Sequence, residues 1–142
     1  MTVVVDSSFA IKWLISEPDS LLAIRQLAMW KRERLDRLMP RWAQLEGANS
    51  LLQIVHRQQL GVIDAVAHLS ELPRFVPLID SSIEHSRRAL VLHHLGLHAV
   101  YDLHSLALAE ELGCELWTAD QRFGTPVSSQ FPFVTWLGAI AT

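Results

Sequence analysis

Thr2-Val3-Val4-Val5-Asp6-Ser7-Ser8-Phe9-Ala10-Ile11-Lys12-Trp13-Leu14 sets a β-branched run against a single acid and follows it at once with an apolar segment. The run predicts a short strand ending on Asp6. Ser7 to Ile15 carries Phe9, Ile11, Trp13 and Leu14 with few polar residues, which predicts a largely buried helix. The strand-then-helix order recurs down the chain. Ser16-Glu17-Pro18-Asp19 reads as a helix N-terminus, with the helix running through about Glu33. Leu35 to Met39 is a second strand stopped by Pro40. Arg41 to Gln59 is a long helix, with Trp42, Leu45, Ala48, Asn49 and Leu52 recurring at three and four. Gly61 ends it, and a shorter helix reaches about Leu72.

Phe75 to Ile79 reads as a third strand, and Pro77 within it belongs at a sheet edge because it has no N–H to donate. Ser81-x-x-Glu84 is a capping-box pattern opening a helix that Gly96 terminates. Ala99 to Leu112 is another helix, closed by Gly113; Glu115 to Ala119 and Phe133 to Trp136 are the fourth and fifth strands. Strands alternating with helices predict an α/β domain in three layers, α/β/α, around a central parallel sheet of about five strands. No repeat or linker divides residues 1–142, so one domain is expected.

Ligands of such sheets bind outside the carboxyl ends of the strands, where the strand order reverses. Asp6 ends the first strand and Asp120 lies just past the fourth. Glu46 falls in the helix after the second strand, and Asp102 near the start of the helix before the fourth. Each acid alone has a plain structural reading: Asp6 and Asp102 as helix caps, Glu46 facing water. Together they suggest a cation site. Two unit charges about 4 Å apart interact by roughly 4 kcal/mol at an effective dielectric of 20, so a carboxylate cluster calls for a neutralising ion. Hard oxygen ligands suit Mg²⁺ or Mn²⁺. A cation lowers the pKa of a coordinated water, and hydroxide can then attack a phosphodiester.

Bulk properties narrow the class. Half of the 142 residues are hydrophobic and 19% are charged, which excludes a disordered chain. The net charge of −3 argues against a protein held on nucleic acid by bulk positive charge, though not against a nuclease whose acids bind cations. Apolar runs are too short to span a bilayer, MTVVVDSS does not read as a signal peptide, and the lone Cys114 reads as a small core residue. A reducing, cytoplasmic compartment is expected.

Four local sequences resemble the motifs of bacterial PIN-domain proteins, in the same order. The first is Val3 to Leu14, an apolar strand, Asp6, a small residue, Ser8 and a helix. The second is Pro40 followed by Leu45-Glu46-Gly47-Ala48-Asn49-Ser50-Leu51. Tyr101-Asp102-Leu103-His104-Ser105-Leu106-Ala107-Leu108-Ala109-Glu110 is similar to the third, and Leu116-Trp117-Thr118-Ala119-Asp120-Gln121-Arg122-Phe123 to the fourth. The resemblance covers nearly the whole chain and implies a PIN-like fold. It further implies a VapC-like toxin of a type II toxin-antitoxin module: an endoribonuclease using Mg²⁺, or Mn²⁺, with RNA as substrate, a VapB-like antitoxin as partner and usually a homodimer. Asp6, Glu46, Asp102 and Asp120 map to the family's metal cluster. Thr118 and Ser8 map to hydroxyls that order carboxylates, and Asn49 to a side chain one turn from Glu46 that bonds a neighbouring acid or else packs in the core. Arg122, two residues past Asp120, reads as a contact to substrate phosphate or as simply solvated. Ser105 departs from the pattern, standing where the family often has an aromatic residue.

Other readings carry less. His93, His94, His98 and His104 are interrupted by Gly96 and do not form a zinc pattern. The basic run Lys31, Arg32, Arg34, Arg37 and Arg41 reads as a solvated face that could also follow phosphates, and the five tryptophans read mostly as core. A phosphoacceptor receiver domain needs paired acids after the first strand and a late lysine, but Val5 precedes Asp6 and the only lysines are Lys12 and Lys31. A haloacid-dehalogenase-type phosphatase needs Asp-x-Asp, and position 8 is serine. A PIN-fold module that binds RNA or a partner without cutting is the remaining alternative.

Overall fold

The computed structural model describes residues 1–96 and 100–141. Among these residues five strands form one parallel sheet: β1 (Thr2–Val5), β2 (Asp36–Pro40), β3 (Leu78–Ile79), β4 (Glu115–Thr118) and β5 (Val134–Trp136), in the order β3-β2-β1-β4-β5. Seven α-helices of the described residues surround it: α1 (Ser7–Leu14), α2 (Ser20–Arg32), α3 (Ala43–His56), α4 (Val62–Phe75), α5 (Ile83–Val91), α6 (Val100–Leu112) and α7 (Gln121–Ser128). Short 3₁₀ turns follow α5 (Leu92–Leu95) and β5 (Leu137–Ile140).

Strand alternation explains the three layers. Val3 and Val5 face one core with Met39 of β2 and with Phe9, Trp13, Trp30, Leu51 and Leu72 from α1 to α4. Val4 faces the other with Ala89, Leu106, Leu116, Phe123 and Val134, which brings in α5, α6 and α7. Val3, Val4 and Val5 are all at most 1% exposed, as a central parallel strand covered on both faces requires. On the first face Phe9, Trp13, Trp30 and Trp117 pack with ring centroids 5.3–6.4 Å apart, mostly edge to face.

The departures from sequence expectation have local causes. β3 is confined to Leu78–Ile79, because Phe75 still belongs to α4 and Pro77 cannot donate; it is an edge strand, as expected. α5 is capped at Ser82 rather than Ser81, with His85 Nδ1 accepting from the Ser82 N–H at 3.2 Å, so Glu84 plays no capping part. The Ser16–Asp19 turn is tied instead by Ser20, whose Oγ accepts from the Glu17 N–H and donates to the Ile15 carbonyl, both at 2.9 Å. Ala99, the expected start of α6, lies outside the described residues. α7 was not foreseen, since Gly124 and Pro126 make its sequence read as loop. Gly124 is required there: a Cβ would stand 2.8 Å from Trp136 Cβ and 2.9 Å from Thr118 Cγ2. Among the described residues no helix is long and apolar enough to cross a membrane.

Candidate active site

β1 lies between β2 and β4, so the strand order reverses at the carboxyl end of β1, and two acids stand there side by side. Asp6 is the N-cap of α1, its Oδ1 accepting from the Phe9 N–H at 3.0 Å. Asp120 is the N-cap of α7, its Oδ1 accepting from the Arg122 N–H at 2.9 Å. The capping reading is therefore correct for Asp6, Asp120 caps a helix as well, and each cap also delivers a carboxylate to the sheet edge.

A hydroxyl network joins the two caps. Ser8 donates its single hydrogen to Asp6 Oδ1 at 2.6 Å, so in the 3.2 Å contact between Ser8 Oγ and Thr118 Oγ1 the threonine is the donor. Ser8 Oγ also accepts from the Ala119 N–H at 3.0 Å, and Thr118 Oγ1 accepts from the Asp120 N–H at 3.1 Å. Ser8 thus bonds the first acid directly, whereas Thr118 reaches the fourth through its backbone N–H and not its carboxylate.

Glu46, in the first turn of α3, accepts from Ser7 Oγ at 3.1 Å. Asp102 stands in the first turn of α6, and among the described residues no donor reaches its carboxylate. All four acids line one open cleft of about 510 Å³, together with Ser7, Ser8, Trp42, Leu45, Asn49, Ser50 and Tyr101. A larger hollow of about 820 Å³ lies at the opposite, amino end of the sheet, beside Met1, Thr2 and Glu115.

The acids feel one another. Asp6 is 5% exposed, and burial pushes its carboxyl pKa up against the opposing help of the Ser8 and Thr118 hydroxyls and the Phe9 N–H; the charge of Asp120 pushes the same way. Burial likewise raises Glu46, opposed by Ser7 and aided by Asp6. Asp102 is pushed up to about 7, by burial first and then by the charges of Asp6, Glu46 and Asp120.

The donor set suits a hard cation: among the described residues every ionisable group lining the cleft except the Tyr101 phenol is a carboxylate, and none is Lys or Arg. Lys12, in the groove next to it, is engaged by Glu17 and Asp19. Among the described residues, however, no three His, Cys, Asp or Glu side chains converge closely enough to hold an ion. The Coulombic coupling and the lack of convergence are compatible, because charge is felt well beyond coordination distance. Mg²⁺ usually takes one or two carboxylates and retains several waters, so a loose carboxylate cleft fits it.

Of the supporting residues, Asn49 lines the cleft but is exposed rather than packed in the core, and Arg122 is exposed and not among the cleft's lining residues. Arg37 is bound to the Phe75 and Leu35 carbonyls and Arg41 to Asp80, so part of the basic run is structural. His104 is buried against Trp42 and His85, away from the exposed His93 and His94; His98 lies outside the described residues. Burial, with the adjacent His85, holds the His104 pKa below the usual range. Ser105 is buried in the core-facing side of α6. The sequence reading missed Ser7, Trp42 and Tyr101. Their signal was available: Trp42 precedes Glu46 by four residues on the way into α3, and Tyr101 adjoins Asp102.

The sequence matches the PIN domain family over residues 3–125. No match is found among curated proteins. Among solved structures the chain is similar to PAE2754 from Pyrobaculum aerophilum, at 22% identity over 89% of this chain and 79% of that one, with a TM-score of 0.63. It is also similar to VapC20 of Mycobacterium tuberculosis, described as a sarcin-ricin loop cleaving toxin, at 19% identity over 87% of this chain and 93% of that one, with a TM-score of 0.65. At these identities the likeness speaks for the fold.

Proposed function

The chain belongs to the PIN domain family, and on that footing we propose that it is a metal-dependent endoribonuclease, the toxin of a type II toxin-antitoxin module. The observation that carries the reading is the cleft at the strand-order switch, which four elements line with four carboxylates and, among the described residues, no basic side chain. Asp6, Asp102, Asp120 and Glu46 would hold Mg²⁺ or Mn²⁺, which when bound supplies charge neutralisation and a water of lowered pKa for attack on a phosphodiester. The chain's own groups prepare that site. Ser8 and the Phe9 N–H fix the orientation of Asp6, and the Thr118 hydroxyl holds Ser8. Ser7 steadies Glu46, which is suited to orient or deprotonate a water. A proton on Asp102 competes with cation binding, because its pKa is about 7.

The partners proposed with this reading are RNA as substrate, a VapB-like antitoxin that blocks the cleft, and a second copy of the chain. An arginine from the antitoxin would meet the acids as a stand-in for the cation. A second reading, a PIN fold that binds RNA or a partner without cutting, draws on the failure of any three described acids to converge.

One experiment separates the two. Purified protein is incubated with mixed cellular RNA in Mg²⁺ or Mn²⁺, then in excess EDTA, then with the ion restored. Cutting that stops with chelator and returns with metal is expected. Undiminished cutting in EDTA refutes the metal mechanism, and RNA retention without cutting under any ion favours the second reading.

A further inference from the structure

The acidic cleft has an aromatic side to which the carboxylate chemistry gives no task. Trp42 sits four residues before Glu46 at the entry to α3, and Tyr101 immediately precedes Asp102 in α6. Their ring centroids are 5.2 Å apart with an interplanar angle of 40°, and both residues line the cleft beside Leu45. Tyr101 is 51% exposed and Leu45 68%, so the fold leaves this apolar surface uncovered next to the acids. Trp13, Trp30 and Trp117, by contrast, are buried in the core.

The pair is braced from behind. The Trp42 indole N–H donates to Nδ1 of buried His104 at 3.4 Å, and the two rings meet edge to face at 5.3 Å. His104 packs on His85 at 5.4 Å, and His85 is anchored by Glu111 and by the Ser82 N–H. A ring whose plane is fixed before binding loses little freedom on binding.

We propose that Trp42 and Tyr101 form a stacking platform for an unpaired nucleobase of the RNA beside the phosphate that is cut. The proposal rests on the nuclease reading. With no Lys or Arg among the described lining residues, the cleft lacks the usual backbone grip, and register must come from another contact. Stacking on an aromatic side chain strengthens binding by about tenfold or more per base, and it needs a base released from a duplex.

The test compares wild type, Tyr101→Leu, Tyr101→Phe and Trp42→Phe, each checked for folding by thermal melt. A randomised single-stranded RNA pool is cut in Mg²⁺ and its ends are sequenced; separately, poly(U) and poly(A) are titrated in Ca²⁺ while tryptophan fluorescence is followed. Tyr101→Leu is expected to raise KM about tenfold and flatten the nucleotide preference beside the cut, with Tyr101→Phe restoring both. Quenching by RNA should vanish in Trp42→Phe. Unchanged KM and preference in folded Tyr101→Leu overturns the platform, as does a Tyr101→Phe variant as impaired as Tyr101→Leu, which would assign the role to the hydroxyl. Should wild type bind RNA without cutting it, the nuclease reading falls, while quenching that depends on Trp42 and Tyr101 still upholds the base site.

Discussion

Replacing Asp102 by Asn in the metal-free protein should raise its stability above neutral pH. Asp102 has a pKa of about 7 in the folded chain, against an ordinary value of 3.8, because it is largely buried and faces Asp6, Glu46 and Asp120. The folded state therefore binds this proton more tightly than the unfolded chain does. The stabilisation from that proton is complete below about pH 4 and is lost as pH rises through about 7. The full difference corresponds to about 4 kcal/mol. Partial exposure at the cleft mouth reduces the realised value, and the new amide finds no described partner, so a net gain of about 1–3 kcal/mol at pH 8 is the working figure. For a chain of this size that is a rise of about 3–12 °C in Tm.

The assay is a series of thermal melts in EDTA between about pH 5 and about pH 8, with wild type and Asp102→Asn side by side. The wild-type Tm should fall across this window, and the variant's should fall less, so the curves converge on the acid side. Burial raises Asp6 and Glu46 too, which leaves the variant some residual slope of the same sign. Adding Mg²⁺ at pH 8 should recover the wild type by mass action and act more weakly on the variant. An Asn variant less stable than wild type at pH 8, or parallel pH curves, would refute the electrostatic account of the cleft.

The sheet was legible because β1 is buried on both faces and so reads as an unbroken β-branched run. Asp6 and Asp120 were legible because each follows a β-branched or apolar strand. That Asp120 also opens a helix was hidden, since Gly124 and Pro126 disguise α7 while tight packing against Trp136 demands the glycine. Glu46 and Asp102 lie on helices, where periodicity assigns a face but cannot say which other helix that face meets. The same limit concealed the Trp42–Tyr101 contact, between residues 59 positions apart in the sequence. The loop into α3 also misled: Pro40 closes β2 as its last residue, and α3 begins at Ala43 rather than Arg41. Cys114, read as a core residue, is half-buried against the second core, and burial raises its thiol pKa.

Ser8→Ala should lower stability by about 1–2 kcal/mol, because it strips one donor from Asp6 and leaves the Ala119 N–H without its acceptor. Urea denaturation would show this as a lower midpoint at unchanged m, and an unchanged midpoint would mean that the hydroxyl chain carries no stability. Asp6→Asn separates the helix cap from the proposed metal ligand. Asn caps helices about as well as Asp, and its Oδ1 can still accept from the Phe9 N–H and the Ser8 hydroxyl, so Tm should not fall. The negative charge is gone, and RNA cleavage in Mg²⁺ should fall roughly a hundredfold or more, about 1.4 kcal/mol being lost per factor of ten. Glu84→Gln is the control: exposed on α5 and paired only with Arg87 among the described residues, it should leave the rate unchanged. Near-wild-type cleavage by Asp6→Asn would remove Asp6 from the metal site, whereas activity lost only in step with Tm would leave it a helix cap and nothing more.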